Sequence, residues 1–300
     1  MIAVDWGSSS ARAYRLDLAG AVIAQRRSDQ GVLNCAGEFP RVLADLIRDW
    51  DDADIVLCGM IGSRSGWVEV PYLDCPAGSG ELATALMRSD SPDFPGRALW
   101  FVPGLADLSS TVVPDVMRGE ETPLCALLET LGSGDHVVCL PGTHSKWATL
   151  RDGRIQGIAT AMTGEVYAVL RKHSILGKLM SEEDTRFDAY AFDAGLQRSG
   201  KPGGLLHHLF GVRTTGLFDR FSSAALPWYL SGLLIGHEIR ASELLTRIPR
   251  PVQVHLVGND RLMGAYAHAL VALGLGVQRH PEDLAAAGLH ALWRKRTRSG

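Results

Sequence analysis

The sequence lacks the features of membrane, exported and nucleic-acid-binding proteins. No apolar run approaches the ~20 residues that a membrane span needs, and the first residues carry no basic stretch typical of a signal peptide. Lysine and arginine are scattered, apart from a short basic group near the C-terminus, and the formal net charge is only −3 at pH 7. We therefore expect a cytoplasmic protein that binds neither membranes nor nucleic acids.

Cysteines are few, and no pair has the spacing of a metal site. An odd number of widely separated cysteines argues against a disulfide framework and the common zinc motifs, so we expect reduced, mostly buried thiols. The apolar fraction of 46% over 300 residues is ordinary for a globular chain. This length is sufficient for two lobes. The five cysteines are Cys35, Cys58, Cys75, Cys125 and Cys139.

The first sixteen residues predict a strand, a tight turn and a second strand. The apolar run Ile2–Val4 ends at Asp5, and Trp6–Ser10 is a small, polar turn before alternation resumes at Ala11. Small residues let an anion approach backbone N–H groups, and a neighbouring carboxylate can hold a divalent metal through water. The pattern fits a phosphate-binding hairpin with Asp5 as its metal ligand. It fits an ordinary serine-rich β-turn as well.

A second stretch repeats this architecture. Gly132–Asp135 is the clearest break in the chain, and the strand predicted over His136–Leu140 runs into the small-residue turn Pro141–Trp147. Strands follow over 148–150 and 155–160. Two such hairpins in tandem are more informative than one, so we expect each half of the chain to contribute one phosphate-binding turn.

The break predicts an N-terminal lobe over residues 1–132 and a C-terminal lobe over 133–300. In the first lobe a short helix is predicted over 82–87. The second lobe is predicted to be largely helical after residue 162, with a long apolar helix over 226–245. A strand over 252–257 then ends at Gly258 and Asn259 before another helix, a junction that can hold a nucleotide. The last helix, predicted over residues 283–296, either completes this lobe or returns to the first.

A glycine-rich segment of the first lobe is a candidate substrate wall. Gly59–Trp67 follows a short apolar strand and carries Ser63 and Arg64. Ligands gather at the carboxyl ends of strands in α/β sheets. The alternative is a plain connection in which Trp67 is structural.

Two adjacent acids begin the helix that precedes the break. Glu120 and Glu121 lie just before Pro123, which suits the first helical turn. The helix dipole favours acids there, which is a sufficient structural explanation. The functional interpretation is a general base held beside Arg118.

Together these segments resemble the sugar kinase, hexokinase and actin-like ATPase superfamily, an α/β fold with two RNase H-like lobes and ATP in the cleft between them. Ile2–Arg12 resembles its first phosphate motif, Leu140–Trp147 its second, and Val254–Asn259 its adenosine motif, although Asn259 replaces the usual second glycine. More narrowly, the chain resembles the 2-dehydro-3-deoxygalactonate kinase family. The segments that carry this resemblance are Asp5–Ser9, Gly59–Ser63, Gly66–Trp67, Pro71–Tyr72, Met117–Thr122, Pro141–Trp147, Met162–Glu165 and Ser231–Gly236.

The resemblance implies phosphorylation of the 6-hydroxyl of a keto-deoxy sugar acid by ATP, in galactonate catabolism. Asp5 would anchor Mg²⁺, and Glu120 would be the general base with Glu121 in reserve. One arginine would bind the substrate carboxylate, with Arg118 favoured. The expected nucleotide contacts are Asp5, Gly7, Ser8, Ser9, Gly142, Thr143, His144, Lys146, Gly258 and Asn259. The expected substrate contacts are Arg12, Ser63, Arg64, Trp67, Tyr72 and Arg118.

Other functions stay open at this point. A kinase for another sugar or sugar acid, such as 2-dehydro-3-deoxygluconate, would use the same fold, since the sequence does not fix the stereochemistry of the hydroxyls. An actin-like nucleotide switch is disfavoured because an acid beside Arg118 suits a small acidic acceptor. A non-catalytic sugar-binding regulator is disfavoured because Asp5 and Glu120 are both present. Two-lobe sugar kinases are often dimers, so a homodimer is one expected state.

Overall fold

The computed structural model describes residues 1–109, 113–183, 186–242, 245, 253–281 and 283–299. The chain divides into two compact units. The first comprises Met1–His136, Ala148–Ile158 and Pro281–Gly300, and the second comprises Val137–Trp147 and Ala159–His280. No helix among the described residues is long and apolar enough to cross a membrane.

The elements up to residue 130 are mainly short strands with helices between them. In chain order they are β1 (Ile2–Trp6), β2 (Ala11–Leu16), β3 (Val22–Ser28), α1 (Phe39–Leu46), β4 (Asp54–Gly59), a 3-10 turn (Met60–Gly62), β5 (Leu73–Asp74), β6 (Ala77–Gly78), α2 (Ser79–Thr84), β7 (Met87–Ser89), β8 (Ala98–Phe101), β9 (Leu105–Asp107), β10 (Asp115–Met117) and α3 (Glu121–Thr130).

The remaining elements begin with three strands and continue mainly as helices. They are β11 (His136–Leu140), β12 (Ser145–Arg151), β13 (Arg154–Ala161), α4 (Thr163–His173), a 3-10 turn (Gly177–Leu179), α5 (Ala189–Ser199), α6 (Gly204–Leu217), α7 (Leu226–Ala241), β14 (Gln253–Val257), α8 (Asp260–Ala272), β15 (Gly276–His280) and α9 (Leu284–Ser299).

The first unit is built on a mixed sheet with the strand order β3-β2-β1-β4-β8-β7. Its central strand β1 pairs antiparallel with β2, which confirms the predicted hairpin, and parallel with β4. Ile2 and Val4 have no exposed surface, as expected for a strand whose two faces are covered. Trp6 meets Phe39 of α1 edge-on, with ring centroids 6.0 Å apart. Helix α9 packs against α2 and α3.

In the second unit, β14 lies between β11 and β15 and is parallel to both. Its core also includes α5 and α7, which approach closely because glycines line the contact. A Cβ on Gly232 of α7 would lie 2.0 Å from the Phe192 carbonyl oxygen, and one on Gly195 of α5 would lie 2.1 Å from the Tyr229 carbonyl oxygen. The predicted strand–glycine–helix junction is confirmed, since β14 is followed by Gly258 and α8.

Three predicted boundaries were wrong. The helix expected over 82–87 begins earlier, at Ser79, because the Gly78 N–H donates to Glu81 Oε2 at 3.1 Å and starts the helix there. Residues 145–147, expected in a turn, open β12 because their side chains are buried in the unit. The helix expected over 226–245 ends at Ala241, and residues 243–244 and 246–252 lie outside the described residues.

The glycine at the α5–α7 contact gives a prediction about stability. Gly232→Ala should destabilise the protein by about 1–3 kcal/mol, because the added methyl group must displace backbone. The matched control is Gly264→Ala in α8, where no atom lies within 4 Å of the added Cβ. That change should stabilise by about 0.5–1 kcal/mol through helix propensity. Urea unfolding of both variants measures the difference, and equal effects of the two would contradict the packing described.

Candidate active site

In the first unit, two glycines bring the predicted acids together. Gly59, the last residue of β4, has φ +90°, and a Cβ there would lie 2.7 Å from the Trp6 carbonyl oxygen and 3.5 Å from Asp5 Oδ1. Gly119 has φ +108°, and its Cβ would lie 3.1 Å from the Gly59 Cα. Both conformations favour glycine. The segment that carries Glu120 therefore lies directly against the carboxyl end of β4, beside Asp5.

The pKa of the buried Cys58 thiol reflects the same cluster of acids. Cys58 is paired with Asp5 in the β1–β4 register, and its Sγ lies 3.9 Å from Asp5 Oδ1. Burial raises the pKa of Cys58 well above its usual value, and the negative charges of Asp5, Glu121 and Glu120 raise it further. The structure therefore places three predicted acids within electrostatic reach of one residue.

The two adjacent glutamates have different surroundings. Glu121 has no exposed surface; its Oε2 accepts the Gly119 N–H at 2.6 Å, and its Oε1 lies 3.2 Å from the Thr122 hydroxyl oxygen. Glu120 is half-buried, and its Oε2 accepts the Arg118 N–H at 3.1 Å. Burial and the neighbouring Glu120 charge raise the pKa of Glu121 to about 8. Only Glu120 has surface that a substrate can contact, and at neutral pH Glu121 is mostly protonated.

The raised pKa of Glu121 predicts that the stability of the folded protein depends on pH. The ordinary pKa of a glutamate is 4.5, and that of Glu121 is about 8. Between these values the folded chain retains a proton that the unfolded chain releases, so the stabilisation present at low pH is lost as pH rises. Relative to Glu121→Gln, which imitates the neutral form, the wild type should lose on the order of a few kcal/mol between pH 5 and pH 8.5. Urea unfolding at both pH values tests this, and parallel pH profiles of the two proteins would contradict it.

Arg118 is held by the main chain and keeps two donors unpaired. Its Nη2 donates to the Val70 carbonyl oxygen at 2.7 Å, and its guanidinium lies 4.3 Å from the centre of the Tyr72 ring. Within the described part of the chain, its buried Nε and Nη1 have no hydrogen-bond partner. Unpaired buried donors are costly and rare in native proteins. They suit an acceptor with two oxygens, such as a carboxylate.

The other loop residues predicted to contact substrate have local partners. The Ser63 hydroxyl donates to the Met60 carbonyl oxygen at 2.7 Å. The Arg64 side chain is 89% exposed and lies 3.4 Å from a Glu69 carboxylate oxygen. Both side chains are thus engaged within their own loop, and neither has the unpaired buried donors of Arg118.

Trp67 packs against the sheet of the first unit, and Arg12 lies on one of its strands. The Trp67 ring packs against Phe101 and Phe94, with centroids 6.0 and 6.2 Å apart. These contacts account for its position as a structural side chain beneath the loop. Arg12, half-buried on β2, is directly paired with Asp5 in the β1–β2 register.

Hydrogen bonds from the following segment hold the first hairpin turn in place. Its Gly7 N–H donates to the Ser10 carbonyl oxygen at 2.9 Å, and the Gly7 and Ser8 carbonyl oxygens accept N–H groups of the following segment at 3.0 and 3.1 Å. Ser8 and Ser9 are exposed. This leaves a small, rigid turn beside Asp5.

In the second unit, the start of α4 packs onto the second hairpin turn. A Cβ on Gly164 would lie 2.3 Å from the Gly142 carbonyl oxygen, and the Glu165 N–H donates to the Thr143 carbonyl oxygen at 2.9 Å. His144 Nε2 lies 2.5 Å from Glu165 Oε2. The turn is thus held by backbone and side-chain contacts.

Lys146 is buried, and it lies on β12 just after this turn. Only 8% of its surface is exposed, and its Nζ donates to the Thr160 hydroxyl at 2.8 Å. Lys146 is therefore not a solvated surface lysine. The ammonium group is held at a defined position near the turn.

A cavity of about 360 Å³ adjoins the turn. Gly142 of the turn lines it, and helices α4, α7 and α8 contribute most of its walls. Asn259, in place of the second glycine, accepts the Leu262 N–H with its Oδ1 at 3.0 Å and so caps α8. The lining residues are Gly142, Thr163, Gly164, Tyr167, Arg171, Trp228, Ser231, Leu234, Ile235, Asn259, Arg261, Leu262, Ala265 and Tyr266.

Comparison with known proteins gives a full-length match. A family model described as 2-keto-3-deoxy-galactonokinase matches residues 5–292. The 2-dehydro-3-deoxygalactonokinase of Escherichia coli (strain K12) is 33% identical over 295 residues, which cover 97% of this chain and 96% of that protein. A crystal structure of a Sinorhizobium meliloti protein, provisionally named as a 2-dehydro-3-deoxygalactonokinase, has a TM-score of 0.88 at 39% identity over 98% of both chains.

A more distant solved structure shares the fold alone. It is the activator of the 2-hydroxyisocaproyl-CoA dehydratase from Clostridium difficile, with bound ADPNP, at a TM-score of 0.52 and 13% identity over 100% of this chain and 96% of that chain. The predicted fold class, an α/β fold of the actin and hexokinase type, is confirmed.

Proposed function

The chain belongs to the 2-keto-3-deoxy-galactonokinase family, and from this premise we propose how its residues carry out phosphoryl transfer. The full-length match and the E. coli relative give it the activity of a 2-dehydro-3-deoxygalactonokinase, a phosphotransferase that uses ATP. The predicted family and reaction are thereby confirmed. We propose the 6-hydroxyl as the acceptor and the cytoplasm, where ATP is made available, as the location.

We propose Glu120 as the general base, and the observation that carries this proposal is the contact of Gly119 with Gly59. That contact places a half-buried carboxylate beside Asp5 at the end of β4. A base must reach the proton it accepts, which Glu121, with no exposed surface, cannot do. A neutral Glu121 leaves the negative charge of the pair on Glu120.

Arg118 is proposed to bind the carboxylate of the sugar acid. Its Nε and Nη1 have no partner among the described residues, and the guanidinium charge attracts a carboxylate. Tyr72, stacked on the guanidinium, holds this group in place and is 44% exposed, so its free face can contact the sugar. Arg12, Ser63 and Trp67 are proposed to shape the same region, and Arg64, which is exposed beside Glu69, to border it without binding the carboxylate.

The second unit is proposed to bind the nucleotide. Trp228, Leu234 and Leu262 give the cavity apolar walls suited to a purine ring. Gly142 lines the cavity, and the turn Gly142–His144 is proposed to offer backbone N–H groups to phosphates, with the charge of Lys146 on the adjoining strand. Gly7, Ser8 and Ser9 are also proposed to bind phosphate, and Gly258 and Asn259 to border the adenosine.

Asp5 is proposed to hold Mg²⁺. Among the described residues there is no group of three or more His, Cys, Asp or Glu that could hold a metal by itself. Mg²⁺ usually keeps several waters and uses one or two carboxylates together with substrate phosphates, so a single aspartate fits. When bound, the metal would neutralise phosphate charge.

A coupled ADP-release assay tests this function. Purified protein with ATP and Mg²⁺ should release ADP with 2-dehydro-3-deoxygalactonate and much more slowly with its gluco epimer or plain hexoses. Preference for the epimer would support the alternative kinase. Slow ATP hydrolysis that no sugar acid changes would support the nucleotide switch. Size-exclusion chromatography with light scattering tests the proposed homodimer.

A further inference from the structure

A buried carboxylate in the second unit joins several elements beneath the nucleotide cavity. Glu238 on α7 is only 9% exposed. Trp147 Nε1 on β12 donates to its Oε1 at 2.8 Å, and the Tyr266 hydroxyl on α8 donates to its Oε2 at 2.5 Å. Burial raises the pKa of Glu238, and hydrogen bonds from Thr163, Tyr266 and Trp147 oppose this change. A buried carboxyl group is tolerated only when such partners are present.

The network lies directly under the cavity. Ser231, Leu234 and Ile235 line the cavity and precede Glu238 on the same face of α7, at helical spacing. Tyr266 and Thr163 line the cavity themselves. A substitution at residue 238 can therefore alter the residues that line the proposed nucleotide cavity, although Glu238 itself does not line it.

The hydrogen bonds also have a direction. Ser145 Oγ lies 2.7 Å from the Tyr266 hydroxyl oxygen. A tyrosine hydroxyl has one proton, and Tyr266 gives it to Glu238, so Ser145 must donate to Tyr266. An ionised carboxylate only accepts, and this fixes the direction of both bonds. An amide at residue 238 would offer an N–H to Tyr266 and could reverse them.

We propose that Glu238 is a positioning residue for nucleotide binding, holding the turn Gly142–His144 in the shape that receives the ATP phosphates. It acts through Ser145, which follows the turn, and through Thr163, which opens the helix packed onto the turn. The inference rests on the proposed function, in which this turn binds phosphates. Glu238 itself touches no reacting atom.

The test separates phosphate binding from adenosine binding. In Glu238→Gln and Tyr266→Phe, calorimetry should show the Kd of a non-hydrolysable ATP analogue rising by about tenfold or more. The Kd of adenosine, which has no phosphates, should stay within about twofold in Glu238→Gln. In Tyr266→Phe, where the altered residue lines the cavity, it should rise clearly less than the Kd of the ATP analogue. Tyr229→Phe is the matched control, since Tyr229 is equally buried on α7 but packs in an apolar cluster outside this network. It should leave both constants unchanged.

Thermal melting of each variant accompanies the binding measurements, because a purely structural role would lower the Tm without separating the two ligands. Wild-type affinity of the folded Glu238→Gln and Tyr266→Phe variants for the ATP analogue would overturn the inference. So would an equal loss of both ligands. If Glu238→Gln does not fold, Tyr266→Phe and Ser145→Ala decide the question. A wild-type protein that binds neither ligand would instead contradict the proposed function.

Discussion

Glu120→Gln should lower kcat by about 10²–10⁴-fold, the usual contribution of a general base. The amide retains the size and the acceptor oxygen that meets the Arg118 N–H, but it cannot take a proton from the sugar hydroxyl. The nucleotide contacts proposed in the second unit do not involve Glu120, so the Kd of a non-hydrolysable ATP analogue should stay within about twofold. ADP release at saturating substrates and calorimetry measure the two quantities.

The neighbouring glutamate and a distant one supply controls for this result. Glu121→Gln imitates a side chain that is already mostly neutral at pH 7, so its loss of turnover should be clearly the smaller of the two. Glu38→Gln, at an exposed position, should behave as wild type. Normal turnover of Glu120→Gln, or a larger loss in Glu121→Gln, would remove Glu120 from its proposed role.

Arg118→Lys should lower kcat/KM for the sugar acid by about 10²-fold, since hydrogen bonds to a charged partner are each worth about 1.5–3 kcal/mol. Lysine keeps the positive charge, but it loses the planar fork and the stacking on Tyr72. The KM for ATP should change little. Steady-state kinetics with each substrate varied in turn gives the separation.

Arg64→Lys is the matched control for Arg118→Lys. The Arg64 side chain is 89% exposed and lies beside Glu69, and surface ion pairs contribute little, so kcat/KM should stay within about twofold. A second comparison uses an acceptor that lacks the carboxylate, on which wild type and Arg118→Lys should perform alike. A large defect in Arg64→Lys together with a normal Arg118→Lys would assign the carboxylate to the other arginine.

Local pattern in the sequence was sufficient for the hairpin and the strand ends. The alternation after Ala11 and the apolar runs of β1 and β4 are properties of neighbouring residues, so the elements that position Asp5 could be predicted. The choice among Arg12, Arg64 and Arg118 could not, because it depends on which guanidinium is buried with unpaired donors. That property arises only when distant segments meet.

The cavity wall and Glu238 escaped sequence reasoning for related reasons. Helices α7 and α8 contribute Leu234 and Leu262, each unremarkable within an apolar helix, and only their convergence makes a pocket. Glu238 follows the long apolar stretch of α7, and nothing in that stretch indicates that its carboxylate meets Trp147 and Tyr266. The displaced starts of α2 and β12 show that boundaries depend on contacts outside the local pattern.

The central claim is that the phosphoryl group of ATP passes to the sugar-acid hydroxyl beside Glu120. Phosphorus NMR of the reaction with 2-dehydro-3-deoxygalactonate tests it most directly. We predict a phosphomonoester signal split by the two protons of carbon 6, growing in step with ADP and about 10²–10⁴-fold more slowly in Glu120→Gln. Release of ADP with inorganic phosphate alone, and no ester signal, would contradict the account.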